Sequence, residues 1–203
     1  AKEAGIPLLH RSDLVKWILD LNNGLDVAGA HGKTSTTSMI GQILVEAALN
    51  PTIIIGGEVD YLHGSAVLGK GNLSVVEADE SDGSFLKLNP HTIVITNIEN
   101  DHMDHYGTME NLLAAFKKFV EKLPQDGLAI VCGDNKNIRH VMGQANRQFI
   151  TYGLEEGNDY IARNIHYVDS TLVYDVEHKG EIVTRLKLRV PGIHHVLNSL
   201  GAF

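Results

Sequence analysis

The apolar residues fall into short runs separated by helical stripes. Leu25–Ala28 is a continuous apolar-rich segment, and the chain after it places Ile40, Ile43, Leu44 and Ala47 at helical spacing until Asn50-Pro51. The pattern predicts a strand, a loop and a helix in that order. Thr52–Ile55, Leu73–Val76 and Thr92–Thr96 are further β-branched runs that stop where polar residues begin. Between Thr108, an expected N-cap, and Pro124, the residues Leu112, Leu113, Phe116, Phe119, Val120 and Leu123 mark one face of an amphipathic helix. A strand at Gly127–Cys132 and a helix at Asp134–Met142 follow. From Tyr160 the texture changes, with alternating strands predicted over 161–168, 171–176 and 182–190 and a turn at His178–Glu181.

Apolar strands alternating with helices predict an α/β fold. We expect a mostly parallel sheet with helices on both faces, of the P-loop type, plus a small antiparallel β-sheet near the C-terminus attached to it. Ligands of such sheets bind at the carboxyl ends of the strands. At 203 residues, with 43% hydrophobic and 21% charged side chains, the chain is long enough for one substantial core. Its net charge of −8 argues against a duplex nucleic-acid partner, whose affinity rests on a basic face. The single cysteine, Cys132, lies in a strand and has no disulfide partner, which fits a cytoplasmic location. No apolar run approaches the roughly 20 residues of a spanning helix, so no membrane association is expected. The chain begins at Ala1 and stops at Phe203 inside an expected helix from about Ile193, which suggests a piece of a longer protein.

Three strand ends carry the chemistry. The first is Gly29-Ala30-His31-Gly32-Lys33-Thr34-Ser35-Thr36-Thr37, between a strand and a helix. Glycines let a backbone close around phosphates, N–H groups at a helix start face the anion, a lysine reaches the terminal phosphates and a hydroxyl ligates Mg²⁺. Lys33 and Thr34 stand in the last two positions, and Gly29, Ala30, His31, Gly32 and Ser35 complete the loop. The strict pattern G-x-x-x-x-G-K-[ST] fails at its first glycine, where Val27 stands.

The second is Glu77-Ala78-Asp79-Glu80-Ser81-Asp82, reached directly from an apolar strand. Hard carboxylate oxygens beside a phosphate loop suit Mg²⁺. Glu77, the first polar residue, is expected to be the deepest and the ligand, whereas Asp79, Glu80 and Asp82 fit a solvated acidic turn better. The third is Thr96-Asn97-Ile98-Glu99-Asn100-Asp101-His102-Met103-Asp104-His105, in which His102 is expected near a divalent ion and the transferred phosphoryl group. A zinc site is the alternative, but structural zinc needs four ligands and the lone cysteine lies far off in sequence. A fourth segment, Pro191-Gly192-Ile193-His194-His195-Val196-Leu197-Asn198, offers an amide at Asn198 that could read an adenine edge.

Together, in this order and spacing, these four motifs closely resemble the central domain of the Mur ligases, in particular the alanine-adding branch. The resemblance covers essentially the whole chain. It implies that residues 1–23 are the exit from a preceding UDP-sugar domain, that 24–203 are the central ATP-binding domain, and that a C-terminal domain is not part of these residues. It further implies ATP and Mg²⁺ as cofactors and ATP-dependent amide formation between the lactyl carboxylate of UDP-N-acetylmuramate and L-alanine, through an acyl phosphate. By position, Lys33 would hold the β- and γ-phosphates, Thr34 and Glu77 one Mg²⁺, His102 a second metal or the acyl phosphate region, and Asn198 the adenine. Lys33, Glu77 and His102 are thus the expected catalytic residues. The domain alone is expected to have little ligase activity, since an acyl phosphate must be shielded from water by domain closure.

Two departures stand out. His195 replaces an asparagine usual near the last motif, and Ala30 replaces a threonine in the phosphate loop. Lys117 is a possible counterpart of the lysine that several sister ligases carbamylate, although the alanine-adding branch differs there. The alternatives are a sister ligase that attaches recycled peptides to the same sugar nucleotide, a P-loop NTPase or kinase, and a nucleotide-regulated interaction domain. A GTPase would carry N-K-x-D, whereas Asn135-Lys136 continues to Ile138.

Overall fold

The computed structural model describes residues 2–203. Helix α1 (Arg11–Leu19) precedes strand β1 (Asn23–Ala28), which feeds α2 (Lys33–Glu46). Then come β2 (Thr52–Val59), β3 (Gly64–Val67), β4 (Leu73–Glu77), β5 (Thr92–Ile95), the single-turn α3 (Met103–Tyr106) and α4 (Met109–Glu121). The chain continues through β6 (Leu128–Cys132), α5 (Lys136–Met142), β7 (Gln148–Gly153), β8 (Tyr160–Val168), β9 (Thr171–His178), β10 (Glu181–Leu188) and α6 (Ile193–Ala202).

All ten strands of the described residues belong to one sheet, ordered β10-β9-β8-β7-β6-β5-β1-β4-β2-β3. Every pair from β2 across to β8 is parallel, and antiparallel pairing is confined to the two ends. The antiparallel strands therefore extend the main sheet, joined to it where Tyr152 and Gly153 of β7 meet Tyr160 and Ile161 of β8.

Alternation along the central strands explains why both faces need cover. Val27, Val75 and Val94 gather with Ile40 of α2 on one face. Their neighbours Ala28, Val76, Ile93 and Ile95 join the larger core that includes Phe116, Phe119 and Val120 of α4. Thr108 caps α4, its hydroxyl accepting the Asn111 N–H at 3.3 Å, and the predicted apolar stripe is the buried one. Helix α2 stops at Glu46, short of the Asn50-Pro51 signal, because Ala48 and Asn50 take left-handed backbone.

Four of these elements lie outside the sequence expectation, the single-turn α3 among them. Strands β3 and β7 were not among the expected strands, and α1 lies within the segment expected only as an exit from another domain. That segment is held to the rest, with Lys87 Nζ 2.8 Å from Asp13 Oδ1 and Asn89 Nδ2 3.0 Å from Asp20 Oδ1. Ala1, where the expected segment begins, lies outside the described residues.

Candidate functional site

The loop between β1 and α2 rests on the end of β5. Gly29 has φ +135°, and a Cβ there would stand 2.3 Å from Thr96 Oγ1, so a side chain is excluded by both conformation and space. Asn97 clamps the next turn: its Oδ1 accepts the His31 N–H at 2.9 Å and its Nδ2 donates to the His31 carbonyl at 2.8 Å. Thr96 Oγ1 donates to that same carbonyl at 2.6 Å. Ala30 donates its own N–H to the Asn97 carbonyl at 3.2 Å, so the contribution of this position is made by backbone. The His31 ring stays exposed, 3.6 Å from Glu99 Oε2. Gly32, at φ +84°, caps α2 and releases Lys33, Thr34 and Ser35 into its first turn. A helix start of this kind presents unpaired N–H groups and the positive end of the helix dipole.

Lys33 reaches back over the loop. Its ammonium lies 2.6 Å from the Gly29 carbonyl, 3.4 Å from the Ala30 carbonyl and 2.8 Å from Glu80 Oε1. One position on, Thr34 Oγ1 donates to Glu77 Oε1 at 3.0 Å, while Glu77 Oε2 accepts the Gly56 N–H at 2.7 Å. Gly56 is a cradle for that carboxylate, since a Cβ there would come within 2.9 Å of it. A hydroxyl and a fixed carboxylate, both hard oxygen donors beside a phosphate loop, fit Mg²⁺.

Glu80 corrects the reading of the acidic run. It is only 2% exposed, deeper than Glu77, whereas Asp79 and Asp82 keep 40% and 48% of their side chains exposed. The chain leaves β4 with Ala78 still bonded to the Val27 carbonyl, then turns back so that Glu80 comes to lie beneath the phosphate loop. The Tyr106 hydroxyl fixes it there, donating to the Glu80 carbonyl at 2.5 Å. Burial, reinforced by the negative charge of Glu80, pushes the Tyr106 phenol up to about 12, so it stays a donor.

His102 meets Glu80, not Glu77. Its Nε2 is 3.5 Å from Glu80 Oε1 and 3.7 Å from Asp101 Oδ2, and its backbone is left-handed at φ +56°. Among the described residues, no group of three or more His, Cys, Asp and Glu side chains is arranged to hold a metal alone, so the zinc alternative has no ligand set. Lys117 pairs with Glu121 along α4 at 3.7 Å.

Asn198, from the far end of the chain, completes the assembly. It is buried on α6 with its amide packed against Gly32. His195 lies on the same helix with its ring centroid 4.2 Å from that of His194 and the two planes tilted by 47°, and burial together with the His194 charge pulls its pKa below the usual histidine value. Lys33, Thr34, Glu77, His102 and Asn198 are thus gathered at the carboxyl ends of β1, β4 and β5. Sequence reasoning missed Glu80, Gly56, Thr96 and Asn97 as members. The signal for Thr96 and Asn97 was present, since they open the third motif, but nothing local marks Gly56 or separates Glu80 from its acidic neighbours.

Residues 27–203 match the Mur ligase middle domain. The chain belongs to that family. Over its full 203 residues this Mur ligase middle domain is 45% identical to the UDP-N-acetylmuramate–L-alanine ligase of Pelotomaculum thermopropionicum, spanning 44% of that relative's length. A solved UDP-N-acetylmuramate-alanine ligase from Thermotoga maritima superposes with a TM-score of 0.81 at 30% identity, over 94% of this chain and 42% of that one. The UDP-N-acetylmuramate:L-alanyl-γ-D-glutamyl-meso-diaminopimelate ligase of Neisseria meningitides gives a TM-score of 0.88 at 25% identity, over 98% of this chain and 66% of that one.

Proposed function

We propose that this domain is the ATP-binding part of a cytoplasmic ligase of peptidoglycan-precursor synthesis, which joins the carboxylate of UDP-N-acetylmuramate to L-alanine through an acyl phosphate. The observation that carries the reading is the meeting of Lys33, Thr34 and Glu77 at one set of strand ends, in a chain 45% identical along its whole length to an alanine-adding ligase. Carboxyl activation by ATP requires neutralisation of phosphate charge and in-line positioning more than covalent help from the protein.

The residues divide that work. Lys33 takes the β- and γ-phosphate oxygens, and the clamped backbone of Gly29–Gly32 with the start of α2 surrounds the phosphates. Thr34 and Glu77 would hold Mg²⁺, which when bound neutralises phosphate charge and polarises the transferred group. His102 faces the region of the acyl phosphate, and Asn198 borders the adenine. The sugar nucleotide and L-alanine come to the site through the rest of the enzyme, since this domain spans less than half of the curated relative.

A peptide-attaching sister ligase is the second reading, favoured by the TM-score of 0.88. The higher sequence identity to the alanine-adding relative supports the first reading. ATP consumption by the complete enzyme across a panel of amino acids and peptides, with and without UDP-N-acetylmuramate, tests both. Turnover that needs L-alanine and the sugar nucleotide together, and is lost in Lys33→Ala, is expected. Turnover with a tripeptide in place of L-alanine would move the assignment to the sister enzyme.

A further inference from the structure

Glu80 ties together the loops that follow β1, β4 and β5. One oxygen, Oε1, faces Lys33 Nζ at 2.8 Å and His102 Nε2 at 3.5 Å. The other, Oε2, is buried and meets no donor among the described residues. The backbone is locked as well, because the Glu80 carbonyl accepts both the Tyr106 hydroxyl at 2.5 Å and the Gly83 N–H at 3.1 Å. A carboxylate is expensive to bury, and this one has a lysine as its nearest charge.

Lys33 has three N–H donors, and three protein oxygens surround it: the carbonyls of Gly29 and Ala30 and the carboxylate of Glu80. An entering phosphate oxygen must displace one of them. The two carbonyls are neutral, whereas Glu80 is a fixed anion and competes with the ligand for the same positive charge.

We infer that Glu80 is a positioning residue that holds Lys33 and His102 in register and acts as an internal counter-ion, which an incoming polyphosphate must outcompete. The inference rests on the phosphate-loop reading of the site. Its consequence is selectivity for the metal-loaded nucleotide. A free polyphosphate, with its full negative charge, meets a lysine already neutralised by Glu80, whereas a polyphosphate carrying a divalent cation brings less negative charge against that buried carboxylate. Removing the carboxylate charge should therefore strengthen metal-free binding more than metal-loaded binding, an effect that simple damage to the loop would not produce.

The test is calorimetric titration of the protein and its Glu80→Gln variant with ADP, once in excess EDTA and once in excess Mg²⁺. We expect Glu80→Gln to bind metal-free ADP about tenfold more tightly than the unsubstituted protein. The gain in Mg²⁺ should be smaller, so that the preference for the metal-loaded nucleotide shrinks. Glu80→Met, similar in volume and without an unpaired polar atom, carries the same expectation where the glutamine variant fails to fold. Equal or weaker metal-free binding by a folded variant, with the unsubstituted protein binding normally, would overturn the role of Glu80 alone. No ADP binding by the unsubstituted protein under either condition would overturn the phosphate-loop reading and this inference with it.

Discussion

Asn198 closes over Gly32: a Cβ placed on residue 32 would stand 2.4 Å from Asn198 Oδ1. Two elements that are distant in sequence thus meet at the start of α2, where the φ of +84° calls for glycine and any Cβ would push the Asn198 amide aside. Left-handed backbone costs an ordinary residue about 1–2 kcal/mol before any contact is counted. Gly32→Ala should therefore lower the unfolding temperature and weaken ADP binding by more than tenfold in calorimetry. Adding Asn198→Ala should recover part of the stability but not the affinity, since it relieves the contact and leaves the φ strain. Full recovery of affinity in the double variant would show that the backbone angle is unimportant.

Asn97 is the second support of the loop, and both ends of its amide are used on the backbone of His31, at 2.9 and 2.8 Å. Asn97→Ala removes both hydrogen bonds to His31, and with them the longer one to Thr96 Oγ1 at 3.4 Å, from a site whose shape is set by few others. We expect ADP affinity to fall about tenfold, with global stability reduced by about 1–2 kcal/mol. Asn97→Asp keeps the acceptor but sets a negative charge against the His31 carbonyl and the incoming phosphates, so its affinity should fall at least as far as that of the alanine variant. An alanine variant with unchanged affinity would mean that the loop holds its form without the clamp.

The sequence made the sheet and the phosphate loop legible because both are local. Gly29 to Ser35 announce a strand-to-helix turn by their own chemistry, and the β-branched runs ending at Ala28, Val76 and Thr96 place the loops at one end of a parallel sheet. What was illegible depends on distance. Glu80 reads as a solvated acid until the turn after β4 carries it beneath Lys33, 47 positions away in the chain. Gly56 reads as a strand terminator, yet β2 continues to Val59 and its N–H holds Glu77. Strand β3 was missed for another reason. Its residues Ser65, Ala66 and Val67 lie exposed at the sheet edge, where no alternation of apolar and polar positions is needed.

Thr34 and Glu77 should control the response to Mg²⁺. Their oxygens are 3.0 Å apart, and the Gly56 N–H prevents Glu77 from rotating away. Glu77→Gln keeps an acceptor for Gly56 and nearly the same shape while removing the charge. Metal-free ADP binding should change little, and the strengthening produced by Mg²⁺ should drop by about tenfold or more. A glutamine variant with the full Mg²⁺ response would place the metal elsewhere. In this the two glutamates separate, for Glu80→Gln is expected to act chiefly on the metal-free nucleotide.

Asp26 sets a pH dependence of stability that has nothing to do with the site. It lies in the middle of β1, opposite Val76 on one side and Ile93 on the other, fully buried, with neither carboxylate oxygen bonded to a donor among the described residues. Burial raises its pKa to about 8, against a weak opposing pull from Lys122. The fold thus keeps the proton that the unfolded chain, with a pKa of 3.8, releases. Below about pH 4 both states are protonated and the residue costs nothing further. As pH rises from there towards 8, each unit favours the unfolded chain by up to about 1.4 kcal/mol, until the folded-state carboxyl ionises as well. Asp26→Asn, which cannot ionise, should remove this slope. Urea unfolding at pH 5, 6.5 and 8 should show the variant gaining on the unsubstituted protein at each step, by more than about 2 kcal/mol in total. Comparing the two proteins cancels the titration of other groups. Parallel profiles would show that a donor reaches Asp26 in solution and that its carboxyl is ionised within the fold.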